Sequence, residues 1–121
     1  MALKKYTNDA RGKLANIVSQ VLMVRGTEED YEHISDFYSK EPTGDDKILM
    51  SPLFANFLTR VTDSAKVRSA VDMIFTYRNT IPSEYKSFID PVFKNAFNKL
   101  AKAKREVGNK ELADYIGGLM K

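Results

Sequence analysis

The sequence predicts an all-α fold, and three observations carry that reading. Apolar residues recur at three- and four-residue spacing through most of the 121-residue chain, the stripe with which an amphipathic helix covers a core. No stretch alternates apolar and polar side chains with the β-branched enrichment of a strand. Cap residues, acidic first turns and Gly or Pro stops bracket the periodic segments, as helix boundaries require.

In the first segment Leu14, Ile17, Val18, Val21 and Leu22 follow i, i+3, i+4, i+7, i+8 spacing. Asn8 or Asp9 serves as N-cap and Gly26 as a left-handed C-cap, giving a helix over 9–25. Thr27 with Asp30 three residues on is a variant of the capping box, and Glu28 and Glu29 suit the positive end of the dipole. The second helix therefore spans 28–40 and stops at "EPTGDD", where Pro42 and Gly44 make a turn.

Ile48, Leu49, Leu53, Phe57 and Val61 mark a third helix with Pro52 in its middle. Either the helix kinks there, or Ser51 caps a new helix whose first residue is Pro52. Asp63 or Ser64 opens a fourth helix on Val67, Ala70, Val71, Ile74 and Phe75, ended between Asn79 and Pro82. The fifth pattern is the longest: Tyr85, Phe88, Ile89, Val92, Phe93, Ala96, Phe97, Leu100 and Val107, with Asp90 and Pro91 offering the same choice of kink or restart. Gly108 ends it, Asn109 caps, and Leu112, Tyr115, Ile116 and Leu119 form the last short helix.

These six helices pair as three antiparallel hairpins over 9–40, 46–79 and 83–120. Two junctions match in pattern, "VRGTEEDY" and "VGNKELADY". A helix-pair period of roughly 30 to 45 residues points to a HEAT/armadillo-like α-solenoid, a compact right-handed α-α superhelix, with a six-helix bundle as the competing arrangement.

The length fits one domain, 1–121, able to bury roughly two thirds of its unfolded surface. No apolar run approaches the roughly 20 residues of a membrane span, and Met1 to Thr7 lacks the charged-then-apolar order of a signal peptide. No membrane partner is expected, and localisation stays open. The absence of cysteine removes disulfides, thiolate zinc sites and a cysteine nucleophile. The net charge of +3 arises from 19 basic residues interleaved with 16 acidic ones, so no basic face marks a nucleic-acid partner.

"RGTEEDYEHISDFYSK", from Arg25 to Lys40, gathers five carboxylates and the only histidine. Glu29, His33 and Asp36 have the i, i+4, i+7 spacing of metal ligands. One helix face does not close a tetrahedral site, however, and His33 has no histidine partner in the chain. Tyr31, Ile34, Phe37 and Tyr38 fall on the other side, so the stretch reads as a helix with one wet and one dry face. Lys94, Lys102 and Arg105 line one side of the fifth helix and read as a solvated face rather than a phosphate or acidic-partner site. Gly117 and Gly118 follow no strand and belong to a fraying C-terminus rather than a phosphate loop. The five methionines read as core filling. No catalytic, cofactor-binding or metal residue is assigned, and no cofactor is expected in this chain.

"GKLANIVSQVLMVRGTEEDYEHISDFYSK" and "VRSAVDMIFTYRNTIPSEYKSFIDPVFKNAFNKLAKAKREVGNKELADYI" resemble the C-terminal helical region of bacterial zinc aminopeptidases of the aminopeptidase N and leukotriene-hydrolase family. The phrases that carry the resemblance are Gly26-Thr27-Glu28, "IPSEYKSFIDP" around Pro82 and Pro91, and "GNKELADYI". That family's His-Glu-x-x-His zinc motif and its Gly-x-Met-Glu-Asn segment are absent from this sequence. The resemblance implies the C-terminal domain of a longer metallopeptidase, a hydrolase whose zinc and chemistry lie upstream. Its partner would be the catalytic domain of the same parent protein, with peptide substrate touched only indirectly, and this chain alone would not be an enzyme. The alternative is a free-standing helical-repeat protein-protein interaction module. On the first reading an apolar surface should be left where the catalytic domain packs, with Leu3, Tyr6, Leu119 and Met120 at the two ends carrying surplus apolarity, whereas a uniformly polar surface would favour the free-standing module.

Overall fold

The computed structural model describes residues 17–40 and 44–119, and every regular element among them is helical. Helix α1 covers 17–25. A 3-10 turn at Glu28–Asp30 leads into α2 (Tyr31–Lys40), followed by α3 (Gly44–Leu58), α4 (Ser64–Thr80), α5 (Ser83–Glu106) and α6 (Lys110–Gly118). The all-α expectation holds for the described residues.

Local chemistry explains most of the boundaries. Asp63 caps α4 by accepting from the Ala65 and Lys66 N–H groups at 3.0 and 3.2 Å, and Asn109 caps α6 by accepting from Leu112 N–H. The Thr27 N–H donates to the Asp30 carboxylate at 2.9 Å, the acidic half of the expected capping box. Gly108 has φ +85°, and the Gly108 and Asn109 N–H groups reach back to Arg105 O and Lys104 O. That is the Schellman closure, which a left-handed glycine makes inexpensive.

Two expectations need correction, and one open choice is resolved. Gly26 does not have positive φ; it is required because a Cβ there would lie 2.4 Å from Leu22 O and 2.7 Å from the Asp30 carboxylate. Neither proline starts a helix, since α3 runs through Pro52 and α5 through Pro91. Each proline gives up one backbone bond inside its helix, and the residues before them act sideways instead of as caps. Ser51 donates to Lys47 O at 2.8 Å, and Asp90 takes a bidentate pair from Arg78 at 3.0 and 2.8 Å. Finally, the stripe Ile17, Val18 and Val21 does not face the core. The side of α1 turned inward holds Ser19, Met23 and Gly26, while Ile17, Val18, Val21 and Val24 are exposed.

Contacts fix how the helices run. The ends of α1 and α3 meet through Arg60, and grooves pair Ile48 with Phe88 and Pro52 with Val92, so α1, α3 and α5 point the same way. Tyr31 reaches Lys66, Tyr38 packs 6.4 Å from Tyr77, and Tyr115 donates to Asp72, so α2, α4 and α6 also share a direction. The two sets are antiparallel to each other, as Arg105 to Asp114 (2.7 Å) and Lys47 over the Tyr77 ring (5.1 Å) show for neighbouring helices. Between the sets lies the core, with Tyr38, Phe54, Phe57, Phe93 and Phe97 among its largest buried side chains. Ser51 gives its one proton to Lys47 O, so the buried Tyr38 hydroxyl, 2.7 Å away, is the donor to Ser51 Oγ. Burial pushes the Tyr38 phenol far above its usual range.

Residues 59–63, between α3 and α4, collect bonds from distant parts of the chain. Glu28 accepts from the Thr62 N–H at 3.0 Å, the Thr62 hydroxyl at 2.6 Å and the Asp63 N–H at 3.0 Å. Arg60 donates to Gly26 O at 2.8 Å and Met23 O at 2.7 Å, carbonyls that the end of α1 leaves without a helical partner. Lys104, only 4% exposed, donates to Val61 O. The Thr62 hydroxyl, helped by the neighbouring N–H groups, holds the Glu28 carboxyl below its usual pKa, and burial lowers that of Lys104 against the pull of the Glu28 charge.

The glycine geometry gives a paired expectation. Gly26→Ala should destabilise the fold by more than about 1 kcal/mol, because a close approach forbids the methyl. Gly117→Ala, at a helical site with nothing within 4 Å of the new Cβ, should stabilise it by about 0.5–1 kcal/mol. Equilibrium denaturant unfolding of both variants measures the two signs.

Candidate functional site

The acidic stretch singled out in the sequence opens no cleft. Glu29 lies in the 3-10 turn, His33 and Asp36 lie on α2, and all three are exposed. Asp36 pairs with Lys40 at 2.8 Å as a surface i, i+4 bridge. Among the described residues no group of three His, Asp or Glu side chains converges as a metal cage would require.

The basic trio also divides. Lys94 stands apart in solvent, while Lys102 and Arg105 line a shallow groove between α5 and α6, where Asp114 neutralises Arg105. Gly117 and Gly118 do not fray; they complete the last turn of α6. Met23 and Met50 are buried and Met73 partly so, as core filling requires, while Met1 and Met120 lie outside the described residues.

Among the described residues the surplus apolar surface is on a flank. Leu119 packs against the core, and Leu3, Tyr6 and Met120 lie outside the described residues. The large apolar side chains exposed among the described residues are Ile17, Val18, Val21 and Val24 on α1, Leu49 on α3, Tyr85, Phe88 and Val92 on α5, and Val107 just beyond α5. None belongs to α2, α4 or α6. Those helices turn residues such as Glu32, His33, Arg68, Asp72 and Glu111 to solvent. The exposed large apolar side chains among the described residues are therefore confined to one set of helices, where they stand among polar ones such as Lys94 and Asn95.

No family model, curated protein or solved structure matches the chain. Any functional reading has to come from this asymmetry.

The apolar side is sharpest along the seam of α3 and α5. Phe88 is 78% exposed and Leu49 68%, values at which a phenylalanine and a leucine leave most of their transfer free energy unrealised. Below them lies a groove of about 600 Å³ lined by Ile48, Tyr77, Ile81, Tyr85, Phe88 and Ile89. Farther along the same seam a groove of about 530 Å³ runs between Pro52, Asn56 and Thr59 on α3 and Val92, Asn95 and Lys99 on α5. The prolines that cost each helix a backbone bond, Pro52 and Pro91, both line this second groove. Among the described residues that line it, apolar, amide and hydroxyl side chains predominate.

Sequence periodicity counted Tyr85, Phe88 and Val92 with the core. A signal was present, because the apolar positions of α5 cover more of its circumference than one buried stripe needs. Only Phe93, Phe97, Leu100, Ala101 and Lys104 are buried there.

The exposed position of His33 generates an expectation that separates a wet face from a metal site. His33→Ala should change stability by no more than about 0.5 kcal/mol, and zinc content measured by atomic emission should be the same before and after substitution. Stoichiometric zinc lost from the variant would restore the acidic stretch as a metal site.

Proposed function

We propose that the chain is a non-catalytic helical-repeat module that binds another protein through the outer face of α1, α3 and α5. One observation carries the reading: every large apolar side chain exposed among the described residues belongs to those helices or to the residue capping α5, and none to the other three. A soluble monomer scatters such residues over its whole surface, whereas their concentration on one set of helices favours a contact surface. The shared direction within α1, α3 and α5, and within α2, α4 and α6, supports a HEAT-like two-layer stack of hairpins, an architecture that presents one long helical face to its partners.

The partner that the sequence resemblance suggests is the catalytic domain of a zinc aminopeptidase in the same parent protein. A specific coincidence favours it. The phrase "IPSEYKSFIDP" supplies Tyr85 and Phe88 on the exposed seam and Asp90 in the ion pair with Arg78. On this reading the seam is where the catalytic domain packs and the module walls its peptide cleft, and the chain itself hydrolyses nothing.

The test uses the whole chain and a Leu49→Ser/Phe88→Ser double variant. Wild type should bind a hydrophobic fluorescent dye and self-associate at high concentration in sedimentation velocity. The double variant should lose both properties while its unfolding midpoint moves little, since neither side chain is in the core. Absence of dye binding and association in wild type would overturn the interaction reading. Hydrolysis of an aminoacyl reporter by the zinc-supplemented, contaminant-free chain would overturn the non-catalytic one.

A further inference from the structure

The α3–α5 seam is graded along its length, and the gradient identifies a class of occupant. This argument rests on the interaction reading above and names what binds there. At the end near Ile48 and Phe88 no charged residue lines the groove among the described residues. Along Pro52 to Thr59 and Pro91 to Leu100 the lining becomes amide and hydroxyl, and its one charged member is Lys99. Lys102 follows three residues later, exposed at the border of the seam where α5 turns toward the α5–α6 groove. Neither lysine pairs with a carboxylate among the described residues, in contrast to Arg78, Arg105 and Lys40, which do. Among the described residues no acidic side chain lines either stretch of groove.

We infer that the seam holds an amphipathic helix of a partner protein, with apolar side chains on Leu49, Tyr85, Phe88 and Val92 and carboxylates about two to three turns farther along, at Lys99 and Lys102. The dimensions agree. Tyr85 to Lys99 spans about 21 Å of helix axis at 1.5 Å per residue, room for about four turns of a docked helix. A groove between two parallel helices takes the apolar ridge of a third as a helix-in-groove contact, anchored at i, i+3, i+4 and i+7. The lysines then fix polarity and register, the part that charge plays in recognition more than in raw affinity. The α1 stripe of another copy is a poorer complement, because the residue that follows Val24 is Arg25.

The experiment uses the full chain and two synthetic stapled helical peptides of equal length. Both have leucine at i, i+3, i+4 and i+7; one carries glutamates in its last two turns and the other lysines there. Fluorescence anisotropy at low salt should show the acidic peptide binding roughly ten-fold tighter, since two exposed attractions replace two repulsions. High salt should shrink that ratio, and Lys99→Glu/Lys102→Glu should invert it. Amide shifts should map to Asn56 and Asn95 rather than to α1. Equal affinity for the two peptides, or shifts confined to α1, would overturn the helix assignment while leaving the dye and sedimentation result of the interaction reading intact. Vesicles of phosphatidylcholine with phosphatidylserine form the other arm. Retention of the chain on them, abolished by Leu49→Ser/Phe88→Ser, would assign the face to a lipid surface and overturn the proposal.

Discussion

The carboxylate of Glu28 holds the start of α4 against the end of α1, and the rest of the architecture depends on that clamp. Two N–H groups and a hydroxyl of Thr62 and Asp63 converge on it, while Arg60 from the same loop reaches back to the carbonyls of Met23 and Gly26. Lys104 closes the arrangement from α5 at Val61 O. Each of these charges is answered mainly by backbone dipoles, so the loop at 59–63 is positioned without a partner ion. Charge-assisted bonds of this kind are roughly twice as strong as neutral ones, and they join segments more than thirty residues apart. The clamp decides which side of each helix meets the other set, and hence which side is left outside.

That placement explains the apolar flank. With α1 anchored through Met23 and Gly26, its valine stripe points away from the core. With α3 and α5 side by side, Phe93 and Phe97 go inward while Tyr85, Phe88 and Val92 stay on the rim. The chain leaves this surface unsatisfied although buried burial-capable positions exist on the same helices. On the proposed reading a partner that covers it gains what folding did not, and Lys99 and Lys102, without a carboxylate partner among the described residues, give the cover a direction.

Much of the fold was legible because it is set by neighbours in sequence. The spacing of Val67, Ala70, Val71 and Ile74, the Asp63 and Asn109 caps and the Gly108 stop are local signals, and each is realised. What was not legible depends on the third dimension. A proline after Ser or Asp looks the same whether it starts a helix or sits inside one. Pro52 and Pro91 are inside because Ser51 and Asp90 find other partners, Lys47 O and Arg78. Gly26 reads as a left-handed stop, but its need comes from Leu22 O and Asp30. The charge of Lys104 hides it from a search for apolar positions, yet it continues the Phe93, Phe97, Leu100 spacing into the core. The seam itself was hidden because periodicity counts apolar positions without saying how many a neighbour will cover.

The clamp is tested most directly by the pH dependence of unfolding, compared between wild type and Glu28→Gln. Native Glu28 titrates below the unfolded value of about 4.3, so its contribution is complete above that pH and is lost as pH falls through the lower native pKa. The stability difference between the two proteins should therefore be largest and flat near neutrality and shrink progressively below about pH 4.3. A difference that is absent, or that stays constant down to the acid transition, would contradict the assignment of Glu28 as the charged link on which the helix arrangement rests.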